Sequence, residues 1–508
     1  MQQIRAGIVL NYVLIVLNIA VGLVYTPYML RTMGQSEYGL YSLVASVISY
    51  LTVLDLGFGN AIVRYTAKFR AEGKQTEQYE MFGMFLVIYT IIGVISLIAG
   101  LGIYFNVDNL FAESMTAAEL DKARIMLLLL SANMAITFPL SVYGSIITAY
   151  EKFIFQKGIN IIRTILNTGV MIGLLALGYR ALAMVIVQTV FNILTLLINY
   201  IYCKKKLHIK VLFGKFKWSF LKEIGIYSFW IFLNVVMDRF YWSTGQFILG
   251  IFSSTAAVAT LALSIQLVQM YITFSTAVNG VFLPKVSGMV AHNDNKTDIS
   301  NMFIKVGRIQ CFVMGLVLSG FIVFGRQFVA LWAGDGYEEV YWITLILFVS
   351  LFIPLIQNLG IVILQARNQM KFRSILYIVI ASVGLILQVL LAKKYGGVGC
   401  AIAIAVALLF GQGLVMNIYY KREQGIDISR FWREILKISI GPIIVSTIAL
   451  LCVNRINCNE WAVLLTMIML YLVIYLLQSY YISMNAEEKH LVLSFIRHIS
   501  NKQNDKTF

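Results

Sequence analysis

The sequence predicts an all-α integral membrane protein in which 14 transmembrane helices form two six-helix parallel repeats followed by two C-terminal helices. Fourteen apolar stretches, each about as long as a bilayer is thick, fill most of the 508 residues. Hydrophobic residues make up 59% of the chain and charged residues 13%, and the mean hydropathy is +0.81. A helix needs roughly 20 apolar residues to cross the hydrocarbon core. Because lipid offers no partner to an unpaired backbone N–H or C=O, we expect each stretch to be a spanning helix.

The predicted helices follow from the positions of these stretches between short polar loops. In chain order, they cover Ala6–Met29, Gly39–Val63, Met81–Phe105, Ile125–Ile147, Gly158–Leu177, Ala181–Tyr202, Ile224–Phe252, Ala256–Val290, Met302–Phe324, Val340–Leu364, Ser374–Leu391, Val398–Tyr419, Ile435–Val453 and Trp461–Ile482. Predicted helix 8 has too many residues to cross a bilayer straight, so it should tilt, kink or project into water.

The distribution of basic residues predicts the orientation of these helices. Most of the 40 lysines and arginines lie before predicted helix 1, in the segments after the even-numbered helices, or in the C-terminal tail. Because basic residues stay on the cytoplasmic side during insertion, both termini should face the cytoplasm. The net charge of +16 is spread over many short segments, so it indicates topology and anionic membrane lipids as partners rather than nucleic acid.

A weak internal repeat divides the chain. The run Leu30–Leu43 aligns without a gap on Leu249–Ala262, and Pro139 and Pro354 occupy matching runs in predicted helices 4 and 10. Six helices per repeat is an even number, so the two repeats should insert the same way up. The predicted parts are an N-lobe over residues 1–202, a cytoplasmic linker over 203–217, a C-lobe over 218–419, predicted helices 13 and 14 over 420–483 and a cytoplasmic tail over 484–508.

Several classes of function lack their motifs in this sequence. It contains no GxxxxGK[ST] run to hold nucleotide phosphates, and its four histidines lie in predicted loops or in the tail. We therefore expect no catalytic residue, no metal and no cofactor. A membrane glycosyltransferase or polymerase usually needs a large outer loop, whereas the longest one here is about Asn106–Arg124. The sequence predicts a protein that is not an enzyme.

A charged side chain at the centre of a spanning helix costs about 2.5–3.5 kcal/mol on insertion scales, and four charged residues stand out for this reason. Asp55 lies near the middle of predicted helix 2, Asp238 and Arg239 lie near the middle of predicted helix 7, and Arg163 lies in predicted helix 5. Two interpretations stay open. In the first, the aspartates pair with the arginines and lock the helix bundle. In the second, the arginines bind an anionic substrate in a hydrated cavity and the aspartates bind a coupling cation.

Further polar residues extend this candidate site. Arg64, Lys285, Lys305 and Arg308 lie near the predicted cytoplasmic ends of helices, where a topology role and a substrate role are both open. Amides also recur along the inner helices, where they either bridge neighbouring helices or line a polar path. Those that we single out are Asn11, Asn18, Asn60 and Asn234.

The segment Leu30–Lys68 contains three short runs with a recognisable pattern. They are the Gly-x-x-Glu-Tyr-Gly run Gly34–Gly39, the run Leu54–Gly57 and the run Ala61–Arg64. This pattern resembles the opening signature of bacterial polysaccharide flippases, which are O-antigen and capsule exporters of the multidrug/oligosaccharidyl-lipid/polysaccharide superfamily. The predicted helix count and orientation extend the resemblance over most of the chain.

The resemblance implies an inner-membrane flippase that moves an undecaprenyl-pyrophosphate-linked oligosaccharide to the outer leaflet for cell-surface polysaccharide biosynthesis. It also implies alternating access, with a basic cavity around the pyrophosphate and sugars. Only Asp55 and Arg64 lie on the signature itself. The predicted substrate site comprises Arg163, Arg239, Arg64, Lys285, Asn11, Asn18, Asn60 and Asn234, and the predicted coupling-ion site comprises Asp55 and Asp238.

Related functions remain as alternatives. A lipid II flippase is the nearest, and the sequence separates it poorly from a capsule-type flippase. Cation-coupled multidrug exporters usually carry a carboxylate in helix 1, and predicted helix 1 here has none. As a flippase, the protein is expected to be a monomer that works beside a polysaccharide polymerase and glycosyltransferases.

Overall fold

The computed structural model describes residues 2–214, 218–292, 295–367, 369–453, 455–456 and 460–490. Every regular element in these ranges is helical, which confirms the all-α class. The α-helices are α1 Gln2–Met33, α2 Gln35–Leu51, α3 Phe58–Ala71, α4 Gln75–Phe105, α5 Val107–Phe111, α6 Ala117–Ala149, α7 Phe153–Ala176, α8 Ala181–Lys205, α9 Trp218–Trp242, α10 Thr244–Phe252, α11 Thr255–His292, α12 Lys296–Ala333, α13 Glu338–Ile356, α14 Leu359–Ala366, α15 Lys371–Leu408, α16 Met416–Arg422, α17 Ile428–Val453 and α18 Trp461–Gln478. A 3₁₀ turn covers Thr52–Asp55, and π-helical turns cover Leu409–Val415 and Ser479–Ser483.

Twelve helical stretches in the described part of the chain are long and apolar enough to cross a membrane. They confirm a multi-pass membrane protein, whereas the count of 14 and the parallel repeat stay predictions. Predicted helices 11 and 12 fall on one run of 52 residues, Lys371–Arg422, although the backbone leaves the helical region at Gly396 (φ 55°, ψ −135°). Predicted helix 7 falls on α9 and α10, which meet at Ser243 and are not among the twelve.

Predicted helices 2 and 10 are each interrupted. Predicted helix 2 becomes α2, the 3₁₀ turn and α3, and predicted helix 10 becomes α13 and α14. Proline has no backbone N–H and crowds the preceding turn, and α13 ends at Ile356, two residues after Pro354. Hydropathy does not report backbone angles, so each continuous apolar stretch predicted a single helix.

The structure explains the two glycines that begin and end the signature run Gly34–Gly39. Gly34 takes a φ of 84° between α1 and α2, a value that glycine adopts without a Cβ clash. A Cβ at position 39 would lie 1.8 Å from the carbonyl oxygen of Thr255, so α2 and the start of α11 approach too closely for a side chain there. Beside this contact, the hydroxyls of Ser36 and Thr255 are 3.1 Å apart and Thr255 donates to Glu119 at 2.9 Å.

Contacts between helices group the chain into two compact units. The first unit comprises Met1–Leu263 and Tyr377–Cys400, and the second comprises Ser264–Leu376 and Ala401–Phe508. In the first unit, α3, α4 and α6 pack around a hydrophobic core that contains the fully buried Tyr89. Apolar side chains on the other faces of these helices are exposed, as expected where lipid is the solvent.

The second unit packs α12 against α17 and α18. Two buried tyrosines of α18 stabilise this packing. Tyr475 donates to the carbonyl oxygen of Phe312 at 3.1 Å, and Tyr471 donates to the hydroxyl of Ser319 at 2.6 Å. The division of the chain into lobes at residues 1–202 and 218–419, which the repeat predicts, stays a prediction.

Candidate transport site

Asp55 lies at a break in a membrane helix. After the 3₁₀ turn Thr52–Asp55, Leu56 and Gly57 take left-handed conformations, with φ of 53° and 74°, before α3 begins. Oδ1 of Asp55 accepts a hydrogen bond of 2.7 Å from the hydroxyl of Tyr89 on α4. Among the residues that the structure describes, Asp55 forms no ion pair. A tyrosine therefore stabilises this carboxylate, rather than the arginine that the ion-pair interpretation would require.

The exposed face of α3 is a row of polar side chains. Asn60, Arg64 and Lys68 follow one another at intervals of four residues, so they lie on one face of the helix. All three are exposed, whereas Ala61 and Tyr65, which lie off this row, are buried. The structure thus brings two predicted site residues together and adds Lys68, which the sequence analysis did not single out.

Asp238 also has a tyrosine partner. It lies near the end of α9, is exposed, and accepts a hydrogen bond of 2.8 Å from the hydroxyl of Tyr377 on α15. The Tyr377 ring stacks on that of the buried Tyr241, with centroids 5.1 Å apart and planes 17° apart. Both aspartates of the predicted coupling-ion site therefore accept a hydrogen bond from a phenol on another helix.

Arg239 lies beside a group of hydroxyls where α2 meets α9 and α10. It is half-buried, and its Nε is buried without a hydrogen-bond partner in the described part of the chain. Ser49 donates to Ser243 at 2.9 Å, and the hydroxyls of Tyr50 and Thr244 are hydrogen-bonded. A cation next to several hydroxyls provides the donors that phosphate and sugar groups require.

Two further predicted residues lie on the packed pair α1 and α7. Asn11 on α1 accepts a hydrogen bond of 2.8 Å from Nζ of Lys157 on α7. Arg163 lies further along α7, is half-buried, and makes no hydrogen bond or ion pair within the described ranges. The amide of Asn11 therefore bridges two helices, as amides in membrane proteins commonly do. The guanidinium donors of Arg163, in contrast, are not used by any described side chain.

The remaining predicted residues are more scattered. Asn18 is exposed on α1, and Asn234 is half-buried on α9. Lys285 belongs to α11, but its side chain lies outside the described residues. Every predicted site residue except Lys285 belongs to the first unit.

Lys305 and Arg308, the other basic residues near helix ends, have carboxylate partners in the second unit. Nζ of Lys305 lies 2.6 Å from Glu487, and Arg308 is buried between Glu434 and Glu488. These contacts indicate structural roles, which the sequence analysis left open beside a substrate role.

The second unit also contains an apolar pocket of about 320 Å³ among α12, α13, α17 and α18. Its walls include Phe312, Leu318, Phe352, Ile443 and Leu450. Hydroxyls also line the pocket, on Ser319, Ser439, Ser446, Thr447 and Tyr475, and each donates to a backbone carbonyl oxygen of the protein. Because its walls are mainly apolar and these hydroxyls are already bonded, the pocket suits a hydrocarbon chain rather than a sugar.

Tyr89 and Tyr377 are residues of the candidate site that the sequence did not indicate. Tyr89 is 34 residues from Asp55, and Tyr377 is 139 residues from Asp238, so no local spacing links either pair. Tyrosines are also common at membrane interfaces, so a tyrosine that donates to a carboxylate does not stand out in the sequence.

The chain has relatives among known proteins. The uncharacterized membrane protein EpsK of Bacillus subtilis (strain 168) is 21% identical, over 96% of this chain and 97% of its own. The putative O-antigen transporter of Shigella flexneri is 18% identical, over 77% of this chain and 92% of its own.

Solved structures show the same fold. The structure of the lipid II flippase MurJ in an inward closed conformation matches with a TM-score of 0.72 at 18% identity, over 93% of this chain and 97% of its own. An inward-facing multidrug resistance transporter of the MATE family, within the MOP superfamily, matches with a TM-score of 0.59 at 16% identity, over 80% of this chain and 99% of its own.

One family profile decides the classification. The profile described as polysaccharide biosynthesis protein matches residues 28–342, which is more than half of the chain and includes the signature segment Leu30–Lys68. This match confirms the resemblance to polysaccharide flippases that the signature indicated. The chain therefore belongs to the polysaccharide biosynthesis protein family.

Proposed function

We propose that this protein is a flippase that moves an undecaprenyl-pyrophosphate-linked oligosaccharide from the cytoplasmic to the outer leaflet by alternating access. The observation that carries the proposal is the group of cations and hydroxyls inside the first unit of a multi-pass member of this family. Its relatives include a putative O-antigen transporter, and its fold is that of a lipid II flippase. A lipid II flippase therefore remains the second candidate.

In this proposal, the arginines bind the pyrophosphate. Arg163 and Arg239 have donors that no described side chain accepts, and Arg64 is exposed on the polar face of α3. A guanidinium binds two phosphate oxygens at once, and such charge-assisted bonds are strong where water is scarce. The amides Asn11, Asn18, Asn60 and Asn234, with Lys285, would complete the contacts to the pyrophosphate and sugars.

The other parts of the substrate need other surroundings. An isoprenoid chain carries no hydrogen-bonding group, so it requires apolar surroundings rather than arginines. Asp55 and Asp238 are the proposed sites for a coupling cation. A bound cation would neutralise the carboxylate, and moving a neutral group within the membrane costs less free energy than moving a charged one. The protein would lie in the inner membrane with both termini cytoplasmic, as a monomer without a cofactor, beside a polymerase and glycosyltransferases.

Alanine and lysine substitutions of the arginines test this function. Arg163→Ala and Arg239→Ala should each lower polysaccharide export at least about tenfold, because a hydrogen bond to a charged group is worth about 1.5–3 kcal/mol. Arg163→Lys and Arg239→Lys should restore part of the export, because lysine keeps the charge and loses the two-pronged geometry. Export is measured as surface polysaccharide in a strain that lacks its own flippase.

The matched control is Arg455→Ala, which removes an exposed arginine far from the membrane-embedded charges in sequence. It should export normally. Membrane levels of every variant are measured in parallel. Normal export by both alanine variants would contradict the basic site, and loss of the protein from the membrane would instead support a structural role for the arginine concerned.

A further inference from the structure

The break between α2 and α3 is held in a strained conformation. Leu56 has a φ of 53°, where the Cβ of any residue other than glycine approaches the next carbonyl oxygen. Gly57 follows with a φ of 74°, so two consecutive residues are left-handed. Strained backbone of this kind persists only where the surroundings fix it, and it concentrates at functional sites.

One hydroxyl interacts with both sides of this break. Tyr89 donates to Asp55, just before the left-handed residues, at 2.7 Å. The backbone N–H groups of Gly57 and Gly59 also interact with this pair, the first with the carboxylate and the second with the Tyr89 hydroxyl. Because Tyr89 belongs to α4, these contacts fix the break to a neighbouring helix.

The Tyr89 side chain is packed against the break between α2 and α3. Tyr89 is fully buried, and its ring contacts Phe58, the first residue of α3, with centroids 6.3 Å apart. Within the described residues, Asp55 has no cation that would hold it in place if the tyrosine were removed. Removing the hydroxyl would therefore keep the aromatic packing and release the polar contacts.

The backbone hydrogen bonds at this point are short-range. The N–H of Leu56 donates to Val53, and the N–H of Asn60 donates to Gly57, both at 3.2 Å. A helix bends most easily where its ladder of hydrogen bonds is interrupted. The segment that such a bend would move is α3, which carries the polar face with Arg64.

We propose that Leu56 and Gly57 form a hinge on which α3 moves relative to α2 and α4, and that the Tyr89 hydroxyl holds this hinge in the position seen here. The hinge would change the position of the α3 polar face during transport. Its role in transport rests on the proposed function, whereas the movement itself is measurable without any substrate.

Distance measurements between two spin labels test the hinge. The labels are attached at Ala67→Cys on α3 and Gly102→Cys on α4, two exposed positions, with Cys452 and Cys458 replaced by serine. The unaltered hinge should give one main distance. Tyr89→Phe should raise the population of a second distance about tenfold, because a hydrogen bond to a charged group is worth about that factor in an equilibrium.

A second variant acts on the backbone instead of the side-chain contact. Gly57→Ala places a Cβ at a φ of 74° and should also populate the second distance. The controls are Tyr271→Phe, which removes a buried tyrosine hydroxyl that donates to the carbonyl oxygen of Met314 in the second unit, and Gly169→Ala, where a Cβ meets open space. Both controls should keep the single distance.

The outcomes separate the hinge from the transport function. An unchanged single distance in every variant of the pair Tyr89→Phe and Gly57→Ala that elutes as a folded protein would overturn the hinge. A second distance in either variant, but in neither control, would support it. If that second distance appears while the parent protein moves no lipid-linked oligosaccharide in vesicles, the hinge stands and the proposed function fails.

Discussion

Arg308 should be a residue on which the stability of the second unit depends, because it is buried between two carboxylates. Its side chain on α12 is 7% exposed. Nε and Nη2 donate to Glu488 at 2.6 and 2.9 Å, and Nη1 donates to Glu434 on α17 at 2.8 Å. Glu488 also accepts from the backbone N–H of Asn485 at 2.9 Å. One guanidinium therefore joins α12, α17 and the segment that follows α18.

The expected loss of stability follows from this geometry. Glu488→Gln keeps the size of the side chain and removes its charge, which leaves a buried guanidinium with one carboxylate. Removing one partner of a buried ion pair costs about 3–5 kcal/mol of unfolding free energy. We expect the lower end of this range, about 3 kcal/mol, because Glu434 remains as a partner. The double variant Arg308→Met with Glu488→Leu should be more stable than Glu488→Leu alone, because it leaves no unpaired charge at either position.

Glu487→Gln is the matched control. Glu487 is the neighbouring residue, is exposed, and pairs with Lys305 at 2.6 Å. The Lys305 ammonium lowers the pKa of Glu487, so any contribution of this pair is present at neutral pH and fades as the pH falls through the lowered pKa. Water screens the pair, so Glu487→Gln should change stability little. Unfolding by denaturant in one detergent, at neutral pH, measures all variants. Equal stability of Glu488→Gln and Glu487→Gln, or a double variant no better than Glu488→Leu, would refute the reasoning.

Two further predictions concern orientation and coupling. The bias of basic residues predicts that the Asn106–Arg124 loop lies outside the cell. A thiol reagent that cannot cross membranes should therefore label Glu113→Cys in intact cells and leave Lys205→Cys unlabelled, and the opposite pattern would reverse the predicted orientation. Asp55→Asn and Asp238→Asn each remove a charge and keep an acceptor for the tyrosine hydroxyl, so at least one should lose ion-dependent flipping in reconstituted vesicles and still bind lipid-linked sugar. Asp335→Asn, at an exposed carboxylate between α12 and α13, is the control, and unchanged ion and voltage dependence in both test variants would exclude coupling through these aspartates.

The sequence predicted the membrane class and most helices because the cost of leaving a backbone group unpaired in lipid applies to every spanning segment alike. It did not predict the break after Thr52–Asp55. Leucine at position 56 gives no sign of a left-handed backbone, and the apolar run continues on both sides. Gly57 was the one available signal, and inside an apolar helix a glycine is more often a packing site.

The charged residues of the candidate site could be predicted from the sequence, whereas their hydrogen-bond partners could not. A charged residue inside an apolar stretch is visible in a sequence, so Asp55, Asp238 and Arg239 could be named directly. Their partners depend on which helices pack together. Arg308 illustrates the same limit, since its carboxylate partner Glu488 lies 180 residues away in sequence, beyond the last spanning helix.

The arginines of the two units differ in whether carboxylates of the protein accept hydrogen bonds from the guanidinium group. Arg308 has its donors filled by carboxylates of its own chain, so it has little capacity for an external anion. Arg239 and Arg163 bear the same charge, yet Nε of Arg239 is buried without a partner and Arg163 makes no ion pair within the described ranges. Leaving a cation uncompensated within a membrane protein is costly, and such a cost persists where an anionic ligand meets the charge during function. In the proposed function, the pyrophosphate of the substrate is that anion, and it would offset the cost of the uncompensated charge only while it is bound.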